Sequence, residues 1–403
     1  MEQPRAASTG ETGVEHRADA GGRGLRSLAR IVRRWCLFLL LLLSLIPAFL
    51  YRSWLDAQTA AVVVLATTIE TPVVTWLARS LTNEPRIRET RIGGQAATLA
   101  RPGDGDEWPA LVFVNGATEL GHFHPDVQRL ARGLARAGYL VVVPELPGLR
   151  RGEITSRTLE ATVAVARATA RRPDAARGHV GFVGVSVGSS LALCAAEDRR
   201  LADRVSAVAG IAPYADLEEV ARLATTGFVS TGGRLVRYDA DDFVQLAVAR
   251  SLAASLQARR DRERLGERLA AIPNDRIDPL RELESHGLAA QGRALVALLR
   301  NREPQSFDRL WRSLPPATLA AARRLSPTVR IRRIDAPVLL ATSPHDKYFP
   351  VAESRRLAAR SDRVRVTVTS SLSHAIPEPS LHAFGAALAF DGWAVRGLRA
   401  LRR

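Results

Sequence analysis

Five residues near the middle of the chain, Gly184-Val185-Ser186-Val187-Gly188, have the spacing G-x-S-x-G. A serine between two glycines can sit on a tight strand-to-helix turn with its hydroxyl clear of neighbouring side chains. That hydroxyl is a weak nucleophile near neutral pH, so it needs a base to take its proton and an acid to orient the base. Asp346, in HDKYFP, and His374, in SHAIPEP, follow in the order Ser, Asp, His, each just after an apolar run. Asp335 is a rival acid, but it precedes its run and so belongs at the other end of the element. His345 is a rival base that would point away from its neighbour Asp346, and His382 falls on a following helix. A developing oxyanion also needs preorganised donors. The amide of Val187, at the start of a helix whose dipole favours negative charge, is one candidate. The amide of Ala117, just past Asn115-Gly116 in VNGATELGHFHP, is the other. His122 and His124 in the same stretch could touch substrate or a metal, although a His-x-His on a loop is more often incidental. No metal or cofactor is expected.

The elements that must hold these residues can be read from hydrophobic periodicity. The segment around RIGGQAATLARPGDGDEWP has the Gly, Pro and Asp punctuation of an early strand hairpin and turn. From there strand-like and helix-like patterns alternate. ALVFV (110–114), YLVVVP (139–144), HVGFVGV (179–185), RVSAVAGIAP (204–213), APVLLATS (336–343) and RVRVTVT (363–369) read as strands. Helical spacing marks 125–138, 158–172, 189–198 and AESRRLAARS, and a last helix, SLHAFGAALAFDGWAVRGL, is expected to be a solvated one. Continuous Val, Ile, Leu and Phe runs alternating with helices imply a mostly parallel sheet covered on both faces. The segment 216–335 is rich in Ala, Leu and Arg with interleaved acids, the pattern of several amphipathic helices forming a cap.

Over roughly residues 90–390 the chain resembles the α/β-hydrolase superfamily, and within it the bacterial serine esterases, lipases and dienelactone-hydrolase-like members. Gly184 to Gly188 resembles the nucleophile elbow, Asp346 with Pro350 the acid loop after the cap, and His374 the base loop. Asn115-Gly116 stands where the family usually has His-Gly. Dienelactone hydrolases use a Cys nucleophile, so their particular activity is not implied here, and Ser186 argues against relatives that use an Asp. The resemblance implies an α/β-hydrolase fold and carboxylic-ester hydrolysis through an acyl-enzyme on Ser186, with His374 as base and Asp346 as acid. Thioester hydrolysis or acyl transfer fits the same residues. A non-catalytic membrane scaffold is the reading from a different class.

The N-terminal part carries a separate signal. Residues 1–34 form a polar tail with few groups to bury, ending in Arg26, Arg30, Arg33 and Arg34. The uncharged run WCLFLLLLLSLIPAFLY, residues 35–51, nearly spans a hydrocarbon core of about 30 Å as a helix. It is expected to be a transmembrane helix. A second apolar stretch, Thr59–Ala78, is interrupted by Glu70 and Pro72, and is either a second span or a helix packed against the catalytic domain. Arg79, Arg86, Arg88 and Arg91 follow it, so a helical hairpin would leave the remainder, 79–403, on the cytoplasmic side, whereas a single span would leave it outside. The formal charge of +16 raises nucleic-acid binding, but the arginines are spread along nearly every segment and Lys347 is the sole lysine. A membrane surface and a small-molecule or lipid-like ester are the expected partners. Cys36 and Cys194 cannot make a disulfide framework, which leaves both as apolar fillers.

Overall fold

The computed structural model describes residues 52–69, 82–274, 278–374, 376–377 and 384–402. The chain divides into two units, Met1–Leu55 and Asp56–Arg403. The run 35–51 lies outside the described residues, as do 70–78 and His382.

Helix α1 (Arg52–Ile69) is followed by strands β1 (Arg86–Ile92), β2 (Gln95–Arg101) and β3 (Ala110–Val114), helix α2 (Pro125–Arg136), β4 (Leu140–Pro144), α3 (Ser156–Ala170), β5 (Val180–Val185), α4 (Val187–Ala196) and β6 (Val205–Ile211). The segment before the next sheet strand holds α5 (Leu217–Thr226), the hairpin β7 (Phe228–Thr231) and β8 (Arg234–Arg237), α6 (Asp242–Ala254), α7 (Arg259–Ala270), α8 (Asp278–Arg281), α9 (Ala290–Leu299), α10 (Pro304–Arg312) and α11 (Pro316–Arg324). The chain closes with β9 (Val338–Thr342), α12 (Val351–Ala358), β10 (Val364–Val368), the two-residue strands β11 (Leu372–Ser373) and β12 (Ile376–Pro377), and α13 (Phe384–Leu401).

Eight strands form one sheet in the order β1-β2-β4-β3-β5-β6-β9-β10. β2 is antiparallel to both neighbours, and every pairing from β4 to β10 is parallel. Every residue of β3, β4 and β9 is buried, as strands covered by helices on both faces require. β3 leads outward to β4, whereas β5 leads the other way to β6. The chain order therefore reverses between β3 and β5, and a crevice opens there at the carboxyl ends of the strands.

Two expectations need correction. The cap segment is not helical throughout, because β7 and β8 pair through Phe228–Arg237 to Thr231–Arg234. Helix α13 is not merely solvated: Trp393, Val395, Leu398 and Leu401 are buried. A Cβ on Gly181 of β5 would lie 2.3 Å from a Leu401 methyl, so the helix lies directly on the sheet. Tyr139 donates to the Leu398 carbonyl at 2.7 Å, and Arg402 donates to the Ala137 carbonyl at 3.0 Å. The arginines between the apolar positions hid that face, since their stems lie along apolar surface while their heads reach water.

The described part of the 59–78 stretch belongs to α1. Ala57, Ala60, Ala61 and Val63 are buried, and Gln58 donates to the Asp391 carboxylate of α13 at 3.2 Å. Gly133 of α2 lets α1 approach closely, with its missing Cβ 3.2 Å from the Cα of Val64. This packing matches the second of the two sequence readings for residues 59–69. Among the described residues, no helix is long and apolar enough to cross a membrane.

Candidate active site

Ser186 occupies the single residue between β5 and α4, with φ 56° and ψ −130°. For a residue with a Cβ this costs on the order of 1–3 kcal/mol, so the surroundings must enforce it. They do so by hydrogen bonds on both sides: the Ser186 amide donates to the Ile211 carbonyl at 2.8 Å, and the Ser189 amide donates to the Ser186 carbonyl at 2.9 Å. The two flanking glycines answer to sterics. A Cβ on Gly188 would lie 2.2 Å from the Val114 carbonyl oxygen and 2.3 Å from that of Asn115, and one on Gly184 would lie 2.5 Å from the Cα of Ser189.

Asp346 is buried in the loop after β9, while the rivals His345 and Asp335 are exposed. One oxygen, Oδ1, accepts from the amides of Tyr348 (2.8 Å) and Phe349 (2.9 Å), which fixes the carboxylate in its own turn. The other, Oδ2, lies 2.8 Å from Nδ1 of His374. β11 and β12 pair through Ser373 and Ile376, so His374 stands at the turn of a short ribbon with φ 52°. The Tyr348 ring packs 4.4 Å from the imidazole, centroid to centroid.

Ser186, Val187, Ala117 and His374 all line one cavity of about 970 Å³, at the top of the range of small-molecule sites. It opens at the crevice that the strand order places between β3 and β5. Gly116 brings the β3 loop against the elbow, a Cβ there falling 3.4 Å from Cβ of Ser186. The wall is largely apolar, with Phe243, Val244, Ala247 and Val248 contributed by α6, and the mouth carries Glu119, Arg150 and Lys347.

Sequence reading missed the cap's hold on the acid loop. The Tyr238 hydroxyl donates to the Asp346 carbonyl, and the Asp241 amide donates to the Lys347 carbonyl at 2.7 Å. Burial and the nearby Asp346 carboxylate both push the Tyr238 hydroxyl up, so it stays a donor at neutral pH. No local motif marks Tyr238.

His122 does not line the cavity. It is buried beneath the β3 loop, with Nδ1 2.6 Å from Glu145 and Nε2 3.2 Å from Glu89. Burial alone would raise the Glu145 carboxyl, but hydrogen bonds from Arg150 and His122 outweigh it and hold that group below its ordinary value. His124 lies at the cavity edge and accepts from the Asp126 amide at 3.3 Å, capping α2. Among the described residues, no group of three or more His, Cys, Asp or Glu side chains is placed to hold a metal ion.

Residues 109–378, about two-thirds of the chain, match the profile of a family described as the alpha/beta hydrolase fold. The chain belongs to the α/β-hydrolase fold family. The chain is also similar to solved structures. An acylaminoacyl peptidase from Pyrococcus horikoshii is 14% identical over 80% of this chain and 42% of its own, with a TM-score of 0.44. A puromycin-hydrolyzing peptidase from Mycobacterium tuberculosis is 16% identical over 78% of this chain and 38% of its own, with a TM-score of 0.43. This α/β hydrolase thus spans about two-fifths of the length of either peptidase. A hyperthermophilic esterase from the archaeon Pyrobaculum calidifontis is 17% identical over 81% of this chain and 88% of its own, with a TM-score of 0.44. No curated protein matches the chain.

Proposed function

We propose that this α/β hydrolase cleaves carboxylic esters through an acyl-enzyme on Ser186. The observation that carries the reading is the 2.8 Å approach of His374 Nδ1 to a buried Asp346 oxygen, at the wall of the cavity into which the strained Ser186 opens. With Nδ1–H held by the carboxylate, Nε2 is the acceptor for the serine proton. Ser186 Oγ then bonds to the ester carbonyl carbon as His374 takes its proton, and the carbonyl oxygen becomes an oxyanion facing the Val187 and Ala117 amides. First-turn helix amides lack intrahelical acceptors, so the Val187 N–H is available for that charge. Collapse breaks the bond to the alcohol, which leaves with the proton from His374, and water repeats the sequence to release the acid.

An alkyl fluorophosphonate forms a stable bond only with an activated serine. Wild-type protein is expected to be labelled and Ser186→Ala to remain unlabelled; equal labelling of the two would overturn the assignment. The same reading holds the chain at a membrane through residues 35–51, on the strength of their apolar run and basic flank. With α1 packed on the catalytic unit, this single span with its basic flank inside leaves that unit on the outer side, and protease added to intact cells should cut it.

A further inference from the structure

A second cavity, of about 720 Å³, lies between the segment leading into α3 and the cap helices α6, α7 and α11. Three of its lining residues, Ile154, Leu217 and Ser251, also line the catalytic cavity. The partition between the two spaces is therefore one side chain thick at these positions. Ser251 is fixed in it: its hydroxyl accepts from the Ile154 amide at 2.9 Å and donates to the Ala247 carbonyl at 2.7 Å. What separates the cavities besides that serine is a pair of aliphatic side chains, Ile154 and Leu217, each 4% exposed. Aliphatic side chains in a core still change rotamer without moving the backbone.

Beyond the partition Leu252, Leu269, Ala322 and Leu325 give the cavity an apolar surface, broken by the buried Arg250 and Thr318, and Arg157, Arg262 and Glu263 also line it. A polar group passing between Ile154 and Leu217 would shed its water with no partner to replace it. A hydrocarbon chain loses nothing there. Of the two parts of an ester, the acyl group stays bonded to the serine through both half-reactions, whereas the alcohol must leave before water enters. The apolar route between Ile154 and Leu217 suits the part that stays, and the side with Glu119, Arg150 and Lys347 suits the part that goes.

Building on the Ser186 reading, we propose that the second cavity is the tail subsite for a long unbranched acyl chain, which reaches it from Ser186 between Ile154 and Leu217. Gly266 supplies the test. It lies on α7 in the wall of the second cavity and away from the catalytic one, and a Cβ there meets nothing within 4 Å. Gly266 is exposed, so Gly266→Phe sets a ring over the outer side of this cavity without displacing a neighbour, and replacing a helical glycine favours the helix. The quantity to measure is the ratio of kcat/KM for p-nitrophenyl dodecanoate to that for the butanoate, in wild type, Gly266→Phe and Leu217→Ala. Filling the tail subsite should lower this ratio by about ten-fold or more, the scale of discrimination that an apolar pocket provides. Leu217→Ala, which thins the partition, should raise it. Ala321→Phe, from α11 on the same wall, serves as a second filling variant should Gly266→Phe fail to fold. Labelling rates with dodecyl and methyl fluorophosphonates give the same ratio without turnover. A ratio unchanged by filling, with Ser186 still labelled, overturns the tail subsite and leaves the hydrolase standing. No labelling of Ser186 by either reagent overturns both.

Discussion

Asp346 shows how much one side chain settles at this site. Two backbone amides hold one of its oxygens, and that leaves the other facing His374. Asp346→Asn keeps the size and most of the hydrogen bonds, but an amide NH2 directed at Nδ1 stabilises the imidazole tautomer that carries its proton on Nε2, the wrong nitrogen for accepting one from Ser186. On that ground kcat should fall about 10⁴-fold with KM and thermal unfolding little changed; steady-state rates on a butanoate ester, with a melting curve alongside, measure this. A large fall in stability with kcat preserved would mean that the carboxylate serves the loop and not the reaction. That Asp346 would pair with His374, and that His374 and Ser186 would line one cavity, could be read beforehand, because a nucleophile motif and the chain order of its partners are local signals. Tyr238, Ile154 and Leu217 could not. They carry no pattern of their own: Tyr238 and Leu217 reach the site because the segment between β6 and β9 folds back over it, and Ile154 because the chain between β4 and α3 runs beneath that segment.

Elements position these residues by close approach of backbone to backbone. β3 and α4 cross at Gly188, where two carbonyl oxygens occupy the place that a side chain would need. Neither oxygen can yield without moving β3 and the Asn115-Gly116 loop after it, or the helix that bears Val187. Gly188→Ala should therefore lower thermal stability steeply and abolish Ser186 labelling together. Gly266→Ala, at a helical glycine with open space around it, should instead stabilise by up to about 1 kcal/mol. Denaturant unfolding of the two variants tests the contrast, and equal effects would show that helix propensity and not crowding governs both sites. The parallel strands were readable from their unbroken apolar runs, since burial on both faces leaves no alternation to misread. The β7–β8 hairpin was not readable. β8 is exposed at all four residues and bounded by arginines, so it offers neither a period of two nor an apolar face.

At the scale of the whole molecule, the net charge is a poor guide to any one surface, because many arginines are spent on local carboxylates: Arg200 on Asp198 and Glu160, Arg222 on Asp308, Arg259 on Glu263. Glu197 is a carboxyl that such pairing does not rescue. It ends α4, where the helix dipole is negative, and is 6% exposed with one oxygen lacking any hydrogen bond. Burial pushes it from an ordinary 4.5 up to about 9, against the attraction of Arg330 and Arg333. The sign of the consequence follows from where each state holds the proton. The unfolded chain releases it above about 4.5 while the folded chain keeps it until about 9, so the unfolded state binds fewer protons throughout that window and stability falls as pH rises. The stabilising contribution is complete below 4.5 and is lost progressively up to 9. Glu197→Gln keeps the neutral shape at every pH and removes the drift. At pH 8 the variant should be more stable than wild type by on the order of 2 kcal/mol, with the gap closing as pH approaches 4.5. Urea unfolding across that range measures it. A gap independent of pH would mean that packing, and not the proton on Glu197, separates the two proteins.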